Sequence, residues 1–259
     1  MANDDTDLAH TGTRLVGWRA SATFIFAVLA LFITGCTPNI PVGTEDNDRD
    51  PAEPMRLLVV GIDRTESWKT MTRDALRVAQ EVLRTAQPGD DLSFRWISDR
   101  SYEPSERVVD VVLPRLSHSK HAFDRRGKAA ARHAGVELRA VWDQSRAHLA
   151  ALTPEQQPFL ANGTPSTDLY GFFAAAADRF AADTEGRHHI LVVISDTEDN
   201  RAQSFKPDLR GVEVVIKLLV KPGTTPAIVR QASRRWQEFL VACGSNKVKV
   251  AVASAVPGT

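Results

Sequence analysis

The sequence predicts an α/β protein with a doubly wound, mostly parallel sheet of six strands and helices on both faces. Two apolar runs, at residues 57–62 and 190–195, have strand length and do not alternate with polar residues, which is typical of strands buried on both faces. Segments with apolar residues at helical spacing separate most of the predicted strands. Both apolar runs also end in polar residues, where open α/β sheets bind their ligands.

Strands and helices alternate along most of the chain. The six strands are predicted at residues 57–62, 92–97, 108–113, 190–195, 212–220 and 247–252. The helices are predicted at residues 70–86, 168–182 and 226–242, with a further helical excursion at about 115–152. Because crossover helices connect parallel neighbours, this alternation implies a largely parallel sheet.

The overall composition is that of an ordinary globular protein. The 259 residues are 43% hydrophobic and 25% charged, and their number allows one or two domains. The 32 basic residues balance the 32 acidic residues, so the net charge is zero. The overall charge therefore gives no reason to expect a nucleic-acid partner.

Residues 1–36 are predicted to be a lipoprotein signal peptide. Residues 20–33 form an uncharged, largely apolar stretch. This stretch is shorter than the about 20 apolar residues that a membrane-spanning helix needs, so it fits a secretory signal better. Residues 31–36 resemble the bacterial lipobox, which implies a lipid on Cys36 and a mature protein that begins there. An uncleaved single-pass anchor is the alternative. Both readings place the rest of the chain outside the cytoplasm, in a bacterial cell envelope.

The segment after Cys36 is predicted to be a tether. Residues 37–54 are rich in Pro, Asp, Glu and Asn and nearly lack large apolar residues, which is typical of disordered chain. Residues 55–259 are predicted to form the folded domain. Cys243 is the other cysteine of the chain, so no intramolecular disulfide framework is expected once Cys36 is lipidated.

A polar loop follows the first buried strand and carries oxygen-bearing side chains at every second position. Asp63, Thr65 and Ser67 can turn one carboxylate and two hydroxyls toward a common point. Such hard oxygens suit Mg²⁺, Ca²⁺ or Mn²⁺ rather than zinc. One carboxylate would hold a metal weakly, so further ligands are expected. Asp196, after the central strand, and Thr167, expected at the N-cap or in the first turn of a helix, are the candidates.

This ordered set resembles the metal-ion-dependent adhesion site of von Willebrand factor A domains. That family has an Asp-x-Ser/Thr-x-Ser loop, a Thr that opens a later helix, and an Asp after a central strand. The resemblance covers roughly residues 55–253. Carried over by position, its metal ligands are Asp63, Thr65, Ser67, Thr167 and Asp196.

The resemblance implies a binding module and not an enzyme. In such a module a protein partner supplies an acidic residue that completes the shell of Mg²⁺, or of Ca²⁺ or Mn²⁺. Three positions depart from the usual pattern of the family: Thr65 stands where Ser is common, and Glu66 and Thr197 stand where Gly is common.

Two other functions remain open at the level of sequence. Asp63 and Asp196 after buried strands are also similar to the arrangement of haloacid dehalogenases, which would indicate a metal-assisted hydrolase or phosphotransferase. That chemistry uses a second Asp two residues after the nucleophile, and here Thr65 occupies the position. The other alternative is a metal-free scaffold, since Asp and Thr often only cap helices and turns. The binding module is the favoured interpretation.

The helical stretch at 115–152 is rich in Ala and Arg, and its basic residues outnumber its acidic ones. Gly127 and Gly135 are expected to interrupt it. We interpret it as a solvated helix face whose arginine stems cover apolar surface. The alternative is a basic surface for acidic lipid headgroups or for an acidic partner.

Overall fold

The computed structural model describes residues 54–64, 68–116, 124–152, 163–198, 206–221 and 223–253. The predicted signal peptide with Cys36, residues 37–53 of the predicted tether, and the loop residues Thr65 and Ser67 lie outside these ranges. Within the described ranges, none of the helices has the length and apolar character needed to cross a membrane.

The described chain forms six strands and four α-helices. In chain order they are β1 (Arg56–Asp63), α1 (Trp68–Arg84), β2 (Asp91–Ile97), β3 (Arg107–Val112), α2 (Arg125–Ala150), α3 (Leu169–Ala181), β4 (His188–Ser195), β5 (Glu213–Leu218), α4 (Pro226–Ala242) and β6 (Lys247–Val252). A single 3₁₀ turn, Pro104–Glu106, precedes β3.

The strands form one sheet in the order β3-β2-β1-β4-β5-β6. All neighbours are parallel except β3, which runs antiparallel to β2 at one edge. The predicted doubly wound, mostly parallel sheet of six strands is therefore confirmed. Because β1 lies beside β4, with Ile62 opposite Ile194, the carboxyl ends of these two strands meet at the same edge of the sheet.

Helices cover both faces of the sheet, as predicted. Alternate residues of β1 point to opposite faces. On one face, Leu58 and Ile62 pack in a core with Ala75 of α1. On the other face, Leu57 and Val59 pack in a core to which α3 and α4 contribute. This burial on both sides explains why β1 reads as a continuous apolar run.

Gly61 allows α3 to approach β1 closely. A Cβ atom at this position would lie 2.5 Å from Cζ of Phe172 and 2.8 Å from Cδ1 of Ile97. Real Cβ atoms do not approach other atoms so closely, so only glycine accommodates the Phe172 ring. The contact sets the position of α3, and with it the position of the residues that precede that helix.

Helix α2 runs without interruption from Arg125 to Ala150, within the predicted helical stretch at 115–152. Gly127 and Gly135, expected to break the helical pattern, both lie inside it. Gly127 belongs to the first turn, where its N–H donates to the Asp124 carboxylate at 2.8 Å as part of the N-terminal cap. Gly135 faces open space, and the surrounding Ala and Arg residues are strong helix formers. In this helix the buried residues are Ser145 and Leu149, and the Arg side chains are exposed.

Candidate functional site

The candidate site begins at the last residues of β1 and β4. Asp63 ends β1, and its side chain is 3% exposed. Ser195 ends β4, and its Oγ donates a hydrogen bond to Oδ2 of Asp63 at 2.5 Å. The buried carboxylate is therefore oriented by a hydroxyl from the neighbouring strand. Sequence reasoning did not single out Ser195, although it directly precedes Asp196.

The loop that leaves β1 is fixed at its first residue. The Arg64 N–H donates to the Ile97 carbonyl at 3.0 Å, and the Thr164 N–H donates to the Arg64 carbonyl at 3.1 Å. The Arg64 guanidinium also pairs with Glu106 at 3.1 Å. These contacts bind the loop to the end of β2 and to the segment before α3. The structure thus describes three of the five predicted ligands: Asp63, Thr167 and Asp196.

Thr167 lies immediately before the cap of α3 and not at the cap itself. The N-cap residue is Asp168, whose Oδ1 accepts the Gly171 N–H at 2.7 Å. The expectation that Thr167 is the N-cap or a first-turn residue is therefore wrong by one position. The Asp168 carboxylate lies close against Gly171, where a Cβ would be 2.2 Å from its Oδ2. Thr167 is 2% exposed, and its hydroxyl is not the acceptor of the cap.

The segment that carries Thr167 is attached to the same edge of the sheet. The Asp168 N–H donates to the carbonyl of Ser98, the residue after β2, at 2.8 Å. Together with the bond from Thr164 to Arg64, this contact holds residues 164–168 against the loops that follow β2 and β1. The backbone thus brings the Thr167 segment next to the strand that ends in Asp63.

Asp196 follows β4 and makes an ion pair that the sequence did not predict. Its Oδ2 lies 3.0 Å from Nζ of Lys221, and its side chain is 5% exposed. The same ammonium lies 2.6 Å from Oε2 of Glu198. Burial lowers the pKa of Lys221, but hydrogen bonds to Glu198 and Asp196 outweigh it and raise the pKa above its usual value. Lys221 is therefore a positive charge held at a predicted metal ligand.

Thr197 adopts a backbone conformation that favours glycine. Its φ of 61° is the positive φ recorded for a non-glycine residue in the described part of the chain. Its N–H donates to Ser195 Oγ at 2.8 Å, and its carbonyl accepts the Trp236 indole N–H at 3.1 Å. The buried Thr197 Oγ1 has no hydrogen-bond partner. The turn after Asp196 is thus held by backbone bonds, at a position where related motifs commonly have Gly.

A cleft of about 360 Å³ adjoins Asp196, between the segments that follow β4 and β5 and the first turns of α4. Its charged lining is mixed in sign, with Glu198 and Asp196 facing Lys221 and Arg235. Its apolar lining includes Ile228, which is 55% exposed. The cleft offers room for a side chain beside Asp196.

The donor set at this edge has the chemistry of a hard-cation site. The described candidates are two carboxylates, from Asp63 and Asp196, and the Thr167 hydroxyl. Oxygen donors of this kind suit Mg²⁺, Ca²⁺ or Mn²⁺. The described ranges contain no cluster of three or more His, Cys, Asp or Glu side chains that could hold a metal, so hydroxyls would have to complete the set.

No protein-family model matches the sequence, and no curated protein matches it. Similar solved structures include an aerotolerance-related membrane protein from Bacteroides fragilis, at 12% identity and a TM-score of 0.42, with 76% of this chain and 91% of that chain covered. BatB from Bacteroides thetaiotaomicron is 10% identical with a TM-score of 0.43, covering 77% of this chain and 91% of that one. A von Willebrand factor type A protein from Catenulispora acidiphila is 12% identical with a TM-score of 0.41, and the match covers 78% of this chain and 39% of that chain. The chain's own sheet order, with β1 central and β3 antiparallel at one edge, agrees with the von Willebrand factor A-like fold that the sequence resemblance implies.

Proposed function

We propose that this domain is a protein-binding module that uses a divalent cation at the carboxyl ends of β1 and β4. A lipid on Cys36 would anchor it to the membrane of a bacterial cell envelope, outside the cytoplasm. The observation that carries the proposal is the meeting of the Asp63 and Asp196 strands at one edge of the sheet, since β1 and β4 are parallel neighbours. This adjacency supports the proposal, because Asp63 and Asp196 lie at the ends of neighbouring parallel strands.

The proposed ligands are the five residues of the motif. Asp63 and Asp196 would supply charge, and Thr167 would supply a hydroxyl from the segment bound to the loops after β1 and β2. Thr65 and Ser67, which belong to the loop after Asp63, would supply two more hydroxyls. Mg²⁺ is the favoured ion because it prefers six oxygens in near-octahedral geometry, and Ca²⁺ or Mn²⁺ are the alternatives.

A bound cation would leave a coordination position for an acidic side chain of the partner. Two carboxylates do no more than neutralise a divalent ion and the hydroxyls carry no charge, so the ion could accept a further carboxylate at its open position. The adjoining cleft, with Lys221 and Arg235 in its lining, would support the approach of an acidic segment. Nucleic acid is not proposed as a partner, because the chain has no excess of basic residues.

Calorimetric titration of Mg²⁺, Mn²⁺ and Ca²⁺ into the full-length protein in detergent tests the proposal. We expect saturable binding that is lost in Asp63→Ala and in Asp196→Ala. Asp208→Ala is the matched control, because this exposed carboxylate pairs with Arg210. Both residues precede β5, so they lie at the amino end of that strand and not at the carboxyl ends where the candidate site is. No heat and no thermal stabilisation of the wild-type protein by any of the three ions would contradict the proposal.

A metal-free scaffold is the second candidate, and one observation favours it. The Lys221 ammonium already neutralises Asp196 without any added ion. In that case the edge of the sheet would serve as a protein-binding surface in the absence of divalent cations. The hydrolase alternative lacks such support, because the acid it needs two residues after Asp63 is replaced by Thr65.

A further inference from the structure

We infer that the Lys221 ammonium is an internal cation that competes with a divalent ion for Asp196 and so sets the metal affinity of the site. This inference rests on the proposed function, because it concerns the regulation of the same site. It adds a residue that is not part of the adhesion-site motif and that comes from a different strand end.

The contact between Lys221 and Asp196 is specific and largely sheltered. Nζ lies 3.0 Å from Oδ2 of Asp196, whose side chain is 5% exposed, whereas the Lys221 side chain is 34% exposed. The other carboxylate oxygen, Oδ1, accepts the Glu198 N–H at 3.1 Å. Both oxygens of Asp196 thus accept a donor, and a divalent ion that binds this carboxylate would lie close to the Lys221 ammonium.

Electrostatics selects the ammonium as the group that moves. A divalent ion and an ammonium at the same carboxylate repel each other, and this repulsion is strong where solvent is largely excluded. The Glu198 N–H carries no net charge and belongs to the backbone turn after β4. The Lys221 ammonium, in contrast, is at the end of a flexible side chain, so its displacement leaves the backbone unchanged.

Glu198 gives the displaced ammonium a second place to bind. Its Oε2 lies 2.6 Å from Nζ of Lys221, and its side chain is 66% exposed. An ammonium that leaves Asp196 can therefore remain paired with Glu198 while Asp196 turns to the metal. The two arrangements differ by a small movement of one side chain. Such a pair of states makes the site a switch between an ammonium-bound and a metal-bound form.

The backbone keeps Lys221 within reach of both carboxylates. The N–H of Leu219, two residues before Lys221, donates to the Ser195 carbonyl at 2.9 Å. Since β5 lies beside β4 in the sheet, the segments after these strands begin side by side. Competition at Asp196 is therefore built into the strand order.

Calorimetric titration of Mg²⁺ into full-length protein carrying Lys221→Met tests this inference. Methionine keeps an unbranched stem of similar length and removes the charge. We expect Mg²⁺ to bind about tenfold more tightly than to the wild type, because a neighbouring positive charge of this kind shifts binding to a carboxylate by about one order of magnitude. Lys221→Arg, which keeps the charge, should retain an affinity near that of the wild type.

Lys247→Met is the matched control. Lys247 also pairs with a carboxylate, Oε1 of Glu213 at 3.0 Å. It is the first residue of β6, so it lies at the amino ends of the parallel strands, away from the candidate site at their carboxyl ends. Its substitution removes the same net charge and should leave the Mg²⁺ affinity unchanged. An equal gain in this control would attribute the effect to overall charge and overturn the inference.

The outcomes separate the inference from the proposed function. If the wild type binds Mg²⁺ and Lys221→Met binds it no more tightly, the inference is overturned and the proposed function stands. If only Lys221→Met binds Mg²⁺, the inference is supported, and the wild-type protein is a metal-free module. If neither protein binds any divalent ion, both are overturned.

Discussion

The hydroxyl of Ser195 donates to the carboxylate of Asp63 across 2.5 Å, and it thereby joins the last residues of the two central strands. The same oxygen accepts the N–H of Thr197 at 2.8 Å. The Ser195 side chain thus orients the predicted metal ligand Asp63 and holds the turn that follows the predicted metal ligand Asp196. Although Ser195 belongs to no motif, it has a direct role in the geometry of the site.

Ser195→Ala should lower the free energy of unfolding by about 2 kcal/mol, because a hydrogen bond to a buried carboxylate is worth about 1.5–3 kcal/mol. Urea denaturation measures the change. Ser233→Ala is the control, because the Ser233 hydroxyl donates to a carbonyl within its own helix α4. The free energy of unfolding of this variant should differ from that of the wild type by no more than about 0.5 kcal/mol. Equal effects of the two substitutions would show that the bond to Asp63 contributes nothing special.

Gly61→Ala should destabilise the domain by about 3 kcal/mol, since the new methyl group overlaps the Phe172 ring in a closely packed core. Gly135→Ala is the matched substitution, because a Cβ there meets nothing within 4 Å. In helix α2 it should stabilise the protein by up to about 1 kcal/mol. Thermal unfolding of both variants gives the comparison. A Gly61 variant as stable as the wild type would mean that α3 can shift away from β1.

Thr197→Gly should stabilise the domain by about 1 kcal/mol. The substitution removes a β-branched residue from the left-handed region, where such residues are strained by about 1–2 kcal/mol. It also removes a buried hydroxyl without a partner, while both backbone bonds of residue 197 are kept. These gains exceed the about 0.5–1 kcal/mol that glycine loses through its flexible unfolded state.

The same exchange at Thr164 provides the control for Thr197→Gly. Thr164 is buried, and its hydroxyl donates to the Ser166 carbonyl at 3.2 Å. Thr164→Gly should therefore destabilise the domain. Chemical denaturation of both variants tests the contrast, and a loss of stability in Thr197→Gly would show that its side chain contributes packing that outweighs the strain.

Acid should weaken the domain through Asp183. Burial raises the pKa of this carboxyl, but hydrogen bonds from the backbone N–H groups of Arg187 and Glu185 and from the side chains of His189 and Arg187 outweigh burial and lower the pKa to about 2. Because the folded-state pKa lies below the unfolded value of about 3.9, Asp183 contributes about 2 kcal/mol of stability above pH 4. That contribution is lost as the pH falls from about 4 to about 2.

Asp183→Asn tests this pH dependence. The stability difference between wild type and variant, measured by urea denaturation, should be largest near neutral pH and shrink toward pH 2. The exposed Asp208 pairs with Arg210, and Asp208→Asn should show a much smaller difference, since solvent screens exposed ion pairs. A difference for Asp183 that stays constant with pH would contradict the assignment.

Cys36→Ser should release the protein from the membrane fraction, because the proposed lipid is attached to this thiol. Cell fractionation and the mass of the mature protein measure the effect. Cys243→Ser makes the same exchange at a buried thiol of the folded domain and should leave the protein in the membrane fraction. A Cys36 variant that stays there would favour the alternative in which residues 20–33 act as an uncleaved anchor.

The sequence predicted the fold well because the central strands carry a strong signal. The apolar runs in β1 and β4 reflect burial on both faces, and both the number of strands and the parallel character of the sheet follow from their alternation with helices. Local competition was harder to predict. Thr167 and Asp168 are both residue types that cap helices well, so the sequence alone did not decide which of them caps α3. Helix α2 continued through its glycines because one belongs to a cap and the other faces open space.

Contacts between separate strand ends could not be predicted in the same way. Lys221 reaches Asp196 because β5 lies beside β4, and no spacing in the sequence contains that information. The hydrogen bond from Ser195 to Asp63 likewise depends on which strands are neighbours. The motif therefore identified candidate ligands, whereas the sheet order determined which charges surround them.

The central position of β1 also has a consequence for the order of events in folding. Its partner β4 is distant in the chain, and the bond between Asp63 and Ser195 joins residues separated by 132 positions. The edge that carries the candidate site therefore does not exist while the chain is incomplete, because such distant pairings close large loops. A partner that binds this edge would recognise only molecules whose central strands have already come together, so binding would also report that the domain is fully assembled.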